Sequence, residues 1–172
     1  MYFFILENMV SIKVDKILSK AYELSNLSTQ NFNHAAIITK GSKPITFGIN
    51  NNRSMINGKM AICSHAEVHA ILKWRNSHFR GVKDRDRKAK KYDLYVIRRN
   101  NNGDQSNFSN SQPCKTCAKL IKQCNFGHVI YSTGESDICK KVKGSEMIST
   151  HRSSAYKYLE KNINYFSRLN YI

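Results

Sequence analysis

Four residues whose types suit metal-assisted chemistry lie in two short motifs of this sequence. His65 and Glu67 belong to a His-Ala-Glu segment, and Cys114 and Cys117 belong to a later Pro-Cys-Lys-Thr-Cys segment. A histidine nitrogen and two cysteine sulfurs are good zinc ligands, and three protein ligands leave a fourth tetrahedral position free for water. Glu67 is close enough to the histidine to exchange protons with that water without ligating the metal. The pattern predicts a catalytic zinc site.

The residues around these motifs indicate helices that begin at the site. Pro113 has a fixed φ that suits the first position of a helix. Cys114 and Cys117 can both reach one ion when the second cysteine lies on the first helical turn. His69 follows His65 at a spacing that permits a further ligand, but the ligand set is complete without it. We expect His69 to lie outside the metal site.

The combined motif resembles the signature of the zinc deaminases. The segments 117–122 and 128–132 are similar to the helix and the next strand of cytidine and deoxycytidylate deaminases, and the resemblance covers about residues 34–132. It implies a three-layer α/β/α fold, bound Zn²⁺ and hydrolytic deamination of a cytosine-type base to uracil. In that reaction Glu67 would move the protons.

The resemblance also implies residues that hold the substrate. Residues 48–50 resemble the strand end whose asparagine holds the sugar in many members of the family. Asn50 and the backbone groups of Ala66 and Cys114 would then orient the sugar and the base. Arg53, in the polar loop that follows, has two interpretations. It is either a contact to a substrate phosphate or a solvated loop charge.

The secondary-structure pattern predicts a mixed five-stranded sheet with helices on both sides. Apolar spacing indicates a first helix over about residues 11–24 and a closing helix after residue 147. Only a few residues separate the fourth and fifth strands, which is too short for a parallel crossover. These two strands should therefore be antiparallel, as in the free-nucleoside branch of the family. The five strands are predicted at 34–39, 45–49, 92–97, 129–132 and 138–142.

Length and composition predict a single domain over residues 1–172, with residues 1–10 as a flexible extension. The apolar run near the start is too short to cross a membrane. Three cysteines remain beside the two metal ligands, namely Cys63, Cys124 and Cys139, and their spacing suggests no disulfide framework. Free thiols beside a zinc–thiolate site favour a reducing, intracellular location, which we expect to be the cytoplasm.

The charge distribution indicates an anionic partner. The chain has 28 Lys and Arg against 12 Asp and Glu, a net charge of +16, which attracts phosphate on a nucleotide or along a strand. Basic residues are dense in the segment 73–99, and its exposed connection at about 76–91 is a candidate contact for nucleic acid. The alternative interpretation of such a run is a solvated face.

Three functions are compatible with these features. The first is a deaminase acting on a cytosine-type nucleoside or a nucleotide of the CMP or dCMP type, and such an enzyme can be a homo-oligomer. The second is a deaminase acting on bases in RNA or single-stranded DNA. The third is a non-catalytic, zinc-stabilised nucleic-acid-binding module, in which Glu67 would have no use. The motif does not read the base, so adenine and guanine derivatives also remain open.

Overall fold

The computed structural model describes most of the chain. The described residues are 12–52, 55–56, 59–60, 64–78, 89–101, 108–135 and 138–161. Their elements, in chain order, are α1 (Ile12–Ser25), β1 (His34–Lys40), β2 (Lys43–Ile49), β3 (Met55–Ile56), β4 (Lys59–Met60), α2 (Ala66–His78), β5 (Tyr92–Arg99), β6 (Phe108–Ser109), α3 (Lys115–Cys124), β7 (His128–Ser132), β8 (Cys139–Lys143), a 3₁₀ turn (Gly144–Glu146) and α4 (Ser154–Lys161).

The main sheet has the strand order β2-β1-β5-β7-β8. β1 is antiparallel to both β2 and β5, whereas β5 and β7 are parallel and are joined through α3. β8 pairs with β7 in the antiparallel direction, with Ser132 opposite Cys139. The mixed sheet and its antiparallel last pair agree with the prediction from sequence. The two-residue strand β6, which pairs with the end of β5, is an addition to the five expected strands.

Alternate residues of the central strands point into two separate cores, which places helices on both faces of the sheet. Ala36 and Ile38 of β1 lie in a core that also contains buried residues of α2 and α3. Ala35 and Ile37 lie in a second core with residues of α1. Helix α1 therefore covers one face and α2 and α3 cover the other, which confirms the three-layer arrangement.

Two local predictions were wrong. Pro113 does not begin helix α3, because the helix starts at Lys115 with Cys114 as its N-cap. The polar loop predicted after Asn50 is not loop throughout, since β3 and β4 form a small antiparallel pair in this part of the chain. The N-terminal stretch 1–10, Arg53, Cys63 and most of the basic connection lie outside the described residues. The single-domain organisation stays a prediction.

A membrane span is not among the helices described. None of those helices is both long enough and apolar enough to cross a bilayer.

Gly48 allows β2 to lie directly against the first turn of α2. A Cβ atom built at this position would come within 2.4 Å of the carbonyl oxygen of Ala66 and 2.3 Å of the backbone nitrogen of Ala70. Both neighbours are backbone atoms, so they cannot move aside as a flexible side chain would. The missing side chain of Gly48 thus sets the distance between the sheet and the helix that carries Glu67.

We expect Gly48→Ala to destabilise the fold by about 1–3 kcal/mol, because overpacking against rigid neighbours costs this much in other cores. Urea unfolding of the purified variant measures the effect. Gly41→Asn is the matched control, since Gly41 has a φ of +59°, which Asn tolerates, and nothing lies within 4 Å of its added Cβ. Equal stability of the Gly48→Ala variant and the wild type would contradict the close approach.

Candidate metal centre

The structure brings together three of the residues that the motifs singled out. His65, Cys114 and Cys117 each offer one ligand atom, and these atoms all lie within 4.8 Å of one another. The Nδ1 atom of His65 is 3.3 Å from the sulfur of Cys117 and 3.5 Å from the sulfur of Cys114. Both cysteines are buried. In the described part of the chain this is the one group of three or more His, Cys, Asp or Glu side chains suited to a metal ion.

These distances fit a zinc ion. Zn–N bonds of about 2.0 Å and Zn–S bonds of about 2.3 Å at tetrahedral angles place the nitrogen and each sulfur about 3.6 Å apart. The two observed N···S distances are close to this value. A histidine nitrogen with two thiolates is also a donor set that zinc prefers, and it leaves one position of a tetrahedron open.

His65 is held just before the start of α2. Its neighbour Ser64 forms an isolated antiparallel bridge with Asn51, with two backbone hydrogen bonds of 3.0 Å. This bridge ties the start of α2 to the segment that follows β2. The carbonyl oxygen of His65 accepts a hydrogen bond from the backbone N–H of His69. The position of the imidazole therefore depends on both β2 and α2.

The two cysteines are positioned by a buried pair of serines. The Ser111 hydroxyl donates to the carbonyl oxygen of Val96 on β5 and also accepts from the backbone N–H of Ser132 on β7. The Ser132 hydroxyl lies 2.9 Å from that of Ser111. These bonds fix the chain just before Cys114, which caps α3, so that Cys117 falls on the first turn.

Glu67 is a buried carboxyl group beside the three ligands. Its side chain is 5% exposed, and it lies on the first turn of α2. Burial raises the pKa of Glu67 above its usual range, while the nearby His65 opposes that rise. A carboxyl group whose pKa is raised in this way is suited to accept and return a proton near neutral pH.

The two thiols differ in their protonation. A hydrogen bond from Cys117 stabilises the thiolate of Cys114 and lowers the pKa of Cys114 to about 3. The same hydrogen bond, together with burial, raises the pKa of Cys117. A thiolate at Cys114 is thus favoured by its surroundings, and a cation beside Cys117 would be needed to ionise the second sulfur.

Two of the three ligand residues, His65 and Cys114, lie on the wall of a cavity of about 820 Å³. This volume is within the range of small-molecule sites in proteins. The wall includes Glu67 and Ala66 from α2, and it continues over the loop before β1 and the segment before α4. A base or a nucleotide could therefore reach Glu67 through this cavity.

Asn50 lies on the cavity wall, but much of its amide group is already used. Its Oδ1 accepts hydrogen bonds from the hydroxyl of Ser28 and the backbone N–H of His34, and its Nδ2 donates to the carbonyl oxygen of Phe32. Asn50 therefore holds the loop before β1 in place. One amide hydrogen remains for a ligand in the cavity.

His69 is separate from the ligand group, as expected. Its Nδ1 lies 3.1 Å from the carbonyl oxygen of Ile49 and 3.3 Å from the Nδ2 of Asn51. It therefore links α2 to the end of β2, next to the Ser64–Asn51 bridge. Cys124 and Cys139, the two other cysteines described, also lie outside the ligand group.

Three cavity residues were missed by the sequence analysis: His34, Arg98 and His151. His34 and Arg98 are directly opposite each other in the β1–β5 register. Burial lowers the pKa of His34 to about 4, and the positive charges of Arg98, His65 and His151 add to this effect. Only the strand register could have indicated the pairing of His34 with Arg98, and no local motif marks either residue.

Comparison with known proteins agrees with this site. A family model for the cytidine and deoxycytidylate deaminase zinc-binding region matches residues 11–133. The chain belongs to this family. The matched region contains both motifs, and a zinc-dependent deaminase is therefore the general class of this protein. A search of curated proteins found no match.

A solved structure with a TM-score above 0.5 shows the same fold. Cytidine deaminase from Burkholderia pseudomallei is 12% identical, with a TM-score of 0.54 over 80% of this chain and 98% of that one. Two structures of the dCMP deaminase from cyanophage S-TIM5 also match. The apo form is 20% identical with a TM-score of 0.48, and the complex with dCMP and dUMP is 18% identical with a TM-score of 0.49. Each covers 73% of this chain and 85% of the phage chain.

We expect Cys117→Ser to lose most of the bound zinc and to lower stability, because metal binding in such sites is coupled to folding. Cys114→Ser and His65→Ala should act in the same way. Elemental analysis of the purified proteins measures the metal. Cys124→Ser is the matched control, because Cys124 is a buried cysteine of the same helix that lies outside the ligand group. Full zinc occupancy in a ligand variant would contradict the assignment.

We expect His34 to stay neutral when the pH falls from 8 to 5, since its pKa is lowered from 6.5 to about 4. The unfolded chain binds a proton at this histidine below about pH 6.5, and the folded chain does not until about pH 4. His34 therefore makes the fold less stable as the pH falls through this window. NMR titration of the imidazole tests its charge, and His34→Gln should weaken the pH dependence of unfolding. A midpoint near 6.5 would contradict the expectation.

Proposed function

We propose that this protein hydrolytically deaminates a cytosine-type base, carried by a nucleoside or by a nucleotide of the CMP or dCMP type. The observation that carries the proposal is the buried carboxyl group of Glu67, next to three ligand atoms and facing a cavity of small-molecule size. Burying an ionisable group lowers the stability of a fold. A buried carboxyl group with a raised pKa therefore indicates a functional role.

His65, Cys114 and Cys117 are the residues that would hold zinc. When bound, zinc would supply a Lewis acid that lowers the pKa of water to about 7. His65 and Cys114 line the cavity together with Glu67 and Ala66, so the carboxyl group lies on the side of the ligand group that a substrate would enter. The fourth group at this site is therefore a carboxyl group that would transfer protons, and it is not a fourth protein ligand.

Glu67 would move the protons of the reaction. Deamination adds water to the ring carbon that bears the amino group and then breaks the bond to nitrogen, releasing ammonia and leaving a carbonyl. The Glu67 carboxylate accepts a proton from the attacking water, and the resulting acid returns a proton to the departing nitrogen. One group serves both steps, and burial raises the pKa of Glu67, which favours its uptake of a proton.

Asn50 and the first turn of α2 are proposed to orient the substrate. The backbone N–H groups at the start of a helix have no partner within the helix, and that of Ala66 is proposed to bind the substrate. The remaining amide hydrogen of Asn50 is available to a sugar hydroxyl. Arg53 stays a predicted phosphate contact, because it lies outside the described residues.

The other candidate functions have less support. The antiparallel pairing of β7 and β8 counts against a deaminase that acts on bases in RNA or single-stranded DNA. A nucleic-acid contact through residues 73–99 stays a prediction, and so does a homo-oligomer. A purely structural zinc site would gain nothing from the buried carboxyl group of Glu67, which argues against a non-catalytic module.

We expect Glu67→Gln to lower turnover by roughly 10²- to 10⁴-fold, because the amide cannot accept and return a proton. The variant should keep its fold and its zinc, since Glu67 is not a proposed ligand and the amide is nearly the same size. Ammonia release from cytidine, deoxycytidine, CMP and dCMP gives the rate, and elemental analysis gives the metal. Glu146→Gln is the control, because Glu146 is an exposed carboxyl group paired with Lys143.

Two outcomes would count against the proposal. Near-normal turnover in Glu67→Gln would remove Glu67 from the mechanism. A zinc-loaded wild type that releases no ammonia from any cytosine, adenine or guanine derivative would instead favour a binding module.

A further inference from the structure

Arg98 is held rigidly on the cavity wall at the end of β5. The central carbon of its guanidinium group lies 4.2 Å from the centre of the Phe32 ring. Phe32 also lines the cavity, and its carbonyl oxygen is held by the side chain of Asn50. Stacking on an aromatic ring fixes the plane of a guanidinium group and leaves its N–H edge free to bind a planar or forked acceptor.

The charge of Arg98 has no acidic partner among the residues that the structure describes. The ion pairs found there join His128 to Asp93 and Lys143 to Glu146. The Nε atoms of Arg98 and of its neighbour Arg99 are both buried without a hydrogen-bond acceptor within the same described ranges. Of these two arginines, Arg98 is the one that lines the cavity, where its guanidinium group can meet an anion.

The surroundings of Arg98 offer little repulsion to an anion. His34 lies opposite Arg98 in the strand register and stays neutral, because burial lowers its pKa to about 4. His34 and His151 both line the same cavity, and Glu67 is the one acidic side chain among its described lining residues. The first residues of α4, Ser154 and Ala155, also lie on the wall, and a helix N-terminus carries a partial positive charge.

We propose that Arg98 binds a phosphate group of the substrate, so that the preferred substrate is a cytosine nucleoside monophosphate and not the free nucleoside. This inference rests on the deaminase function proposed above. The guanidinium fork matches two oxygens of a phosphate group, and Phe32 holds the fork in the orientation that binding requires. A phosphate within a nucleic-acid strand has related chemistry, and the experiment must separate the two sources.

The test compares substrates that differ only in the phosphate. We measure kcat/KM for CMP and for cytidine with the zinc-loaded wild type, Arg98→Gln, Arg98→Lys and Arg99→Gln. Arg99 is the matched control, because it is the next residue on the same strand, it stacks on Tyr22, and it is absent from the cavity wall. Thermal unfolding shows whether each variant is folded.

We expect Arg98→Gln to lower the ratio of kcat/KM for CMP to that for cytidine by roughly 10- to 100-fold, the usual effect of losing one charge-assisted hydrogen-bonded contact. Arg98→Lys should lower the ratio less, because it keeps the charge and loses the fork. Arg99→Gln should leave the ratio unchanged. An equal ratio in the wild type and Arg98→Gln would overturn the inference while leaving the deaminase proposal intact.

A binding measurement keeps the inference testable if no substrate is turned over. Isothermal titration calorimetry with CMP, cytidine and a short oligocytidylate without terminal phosphates compares wild type and Arg98→Gln. We expect CMP to bind the wild type more tightly than cytidine does, and this advantage to disappear in Arg98→Gln. If instead the oligonucleotide binds most tightly and loses most affinity in the variant, the phosphate belongs to a strand and the mononucleotide assignment is overturned.

Discussion

The balance of charge where two helices begin is the constraint on which this structure depends. His65 precedes α2, and Cys114 and Cys117 lie at the start of α3, so two positive helix ends are brought together in a buried place. Positive helix ends favour thiolates, and two thiolates offset the double charge of a zinc ion. Burying such a neutral group costs less free energy than burying an isolated ion. Glu67 is then the one acidic side chain among the described residues that line the cavity, and burial raises its pKa.

The order and direction of the strands bring the starts of α2 and α3 together. Helix α3 connects the parallel strands β5 and β7, so its start lies at the end of β5, where Ser111 and Ser132 hold the chain. Helix α2 reaches the same place by a different route, through the close approach of Gly48 to its first turn. The ligand group thus depends on contacts between parts of the chain that are far apart in sequence. A change in the register of β1, β2 or β5 would separate the ligands without altering any motif.

The sequence was a good guide where short-range patterns determine the structure. Apolar spacing predicted α1, the short connection predicted that β8 would be antiparallel to β7, and the motifs predicted the ligand group. Pro113 was misplaced because the chain stays extended through Cys114, which serves as the N-cap of α3. Strands of two residues, such as β6, are too short to produce a pattern. Arg98 was missed because it resembled an ordinary polar strand end, and its contact with Phe32 depends on tertiary packing.

The cavity has two walls, one proposed to carry out the reaction and the other proposed to select the substrate. In the proposed reaction the wall formed by the motifs would act on the ring carbon and the amino nitrogen of a base, and these atoms are the same in a nucleoside, a nucleotide and a strand. The motif wall therefore cannot distinguish among these substrates. Discrimination must come from groups that contact the rest of the molecule, and these groups lie on the wall formed by the loop before β1 and the end of β5. Asn50 connects the two functions, since it holds the loop that carries Phe32 and also faces the cavity. A family motif thus identifies the reaction, and the residues outside it decide which molecules undergo that reaction.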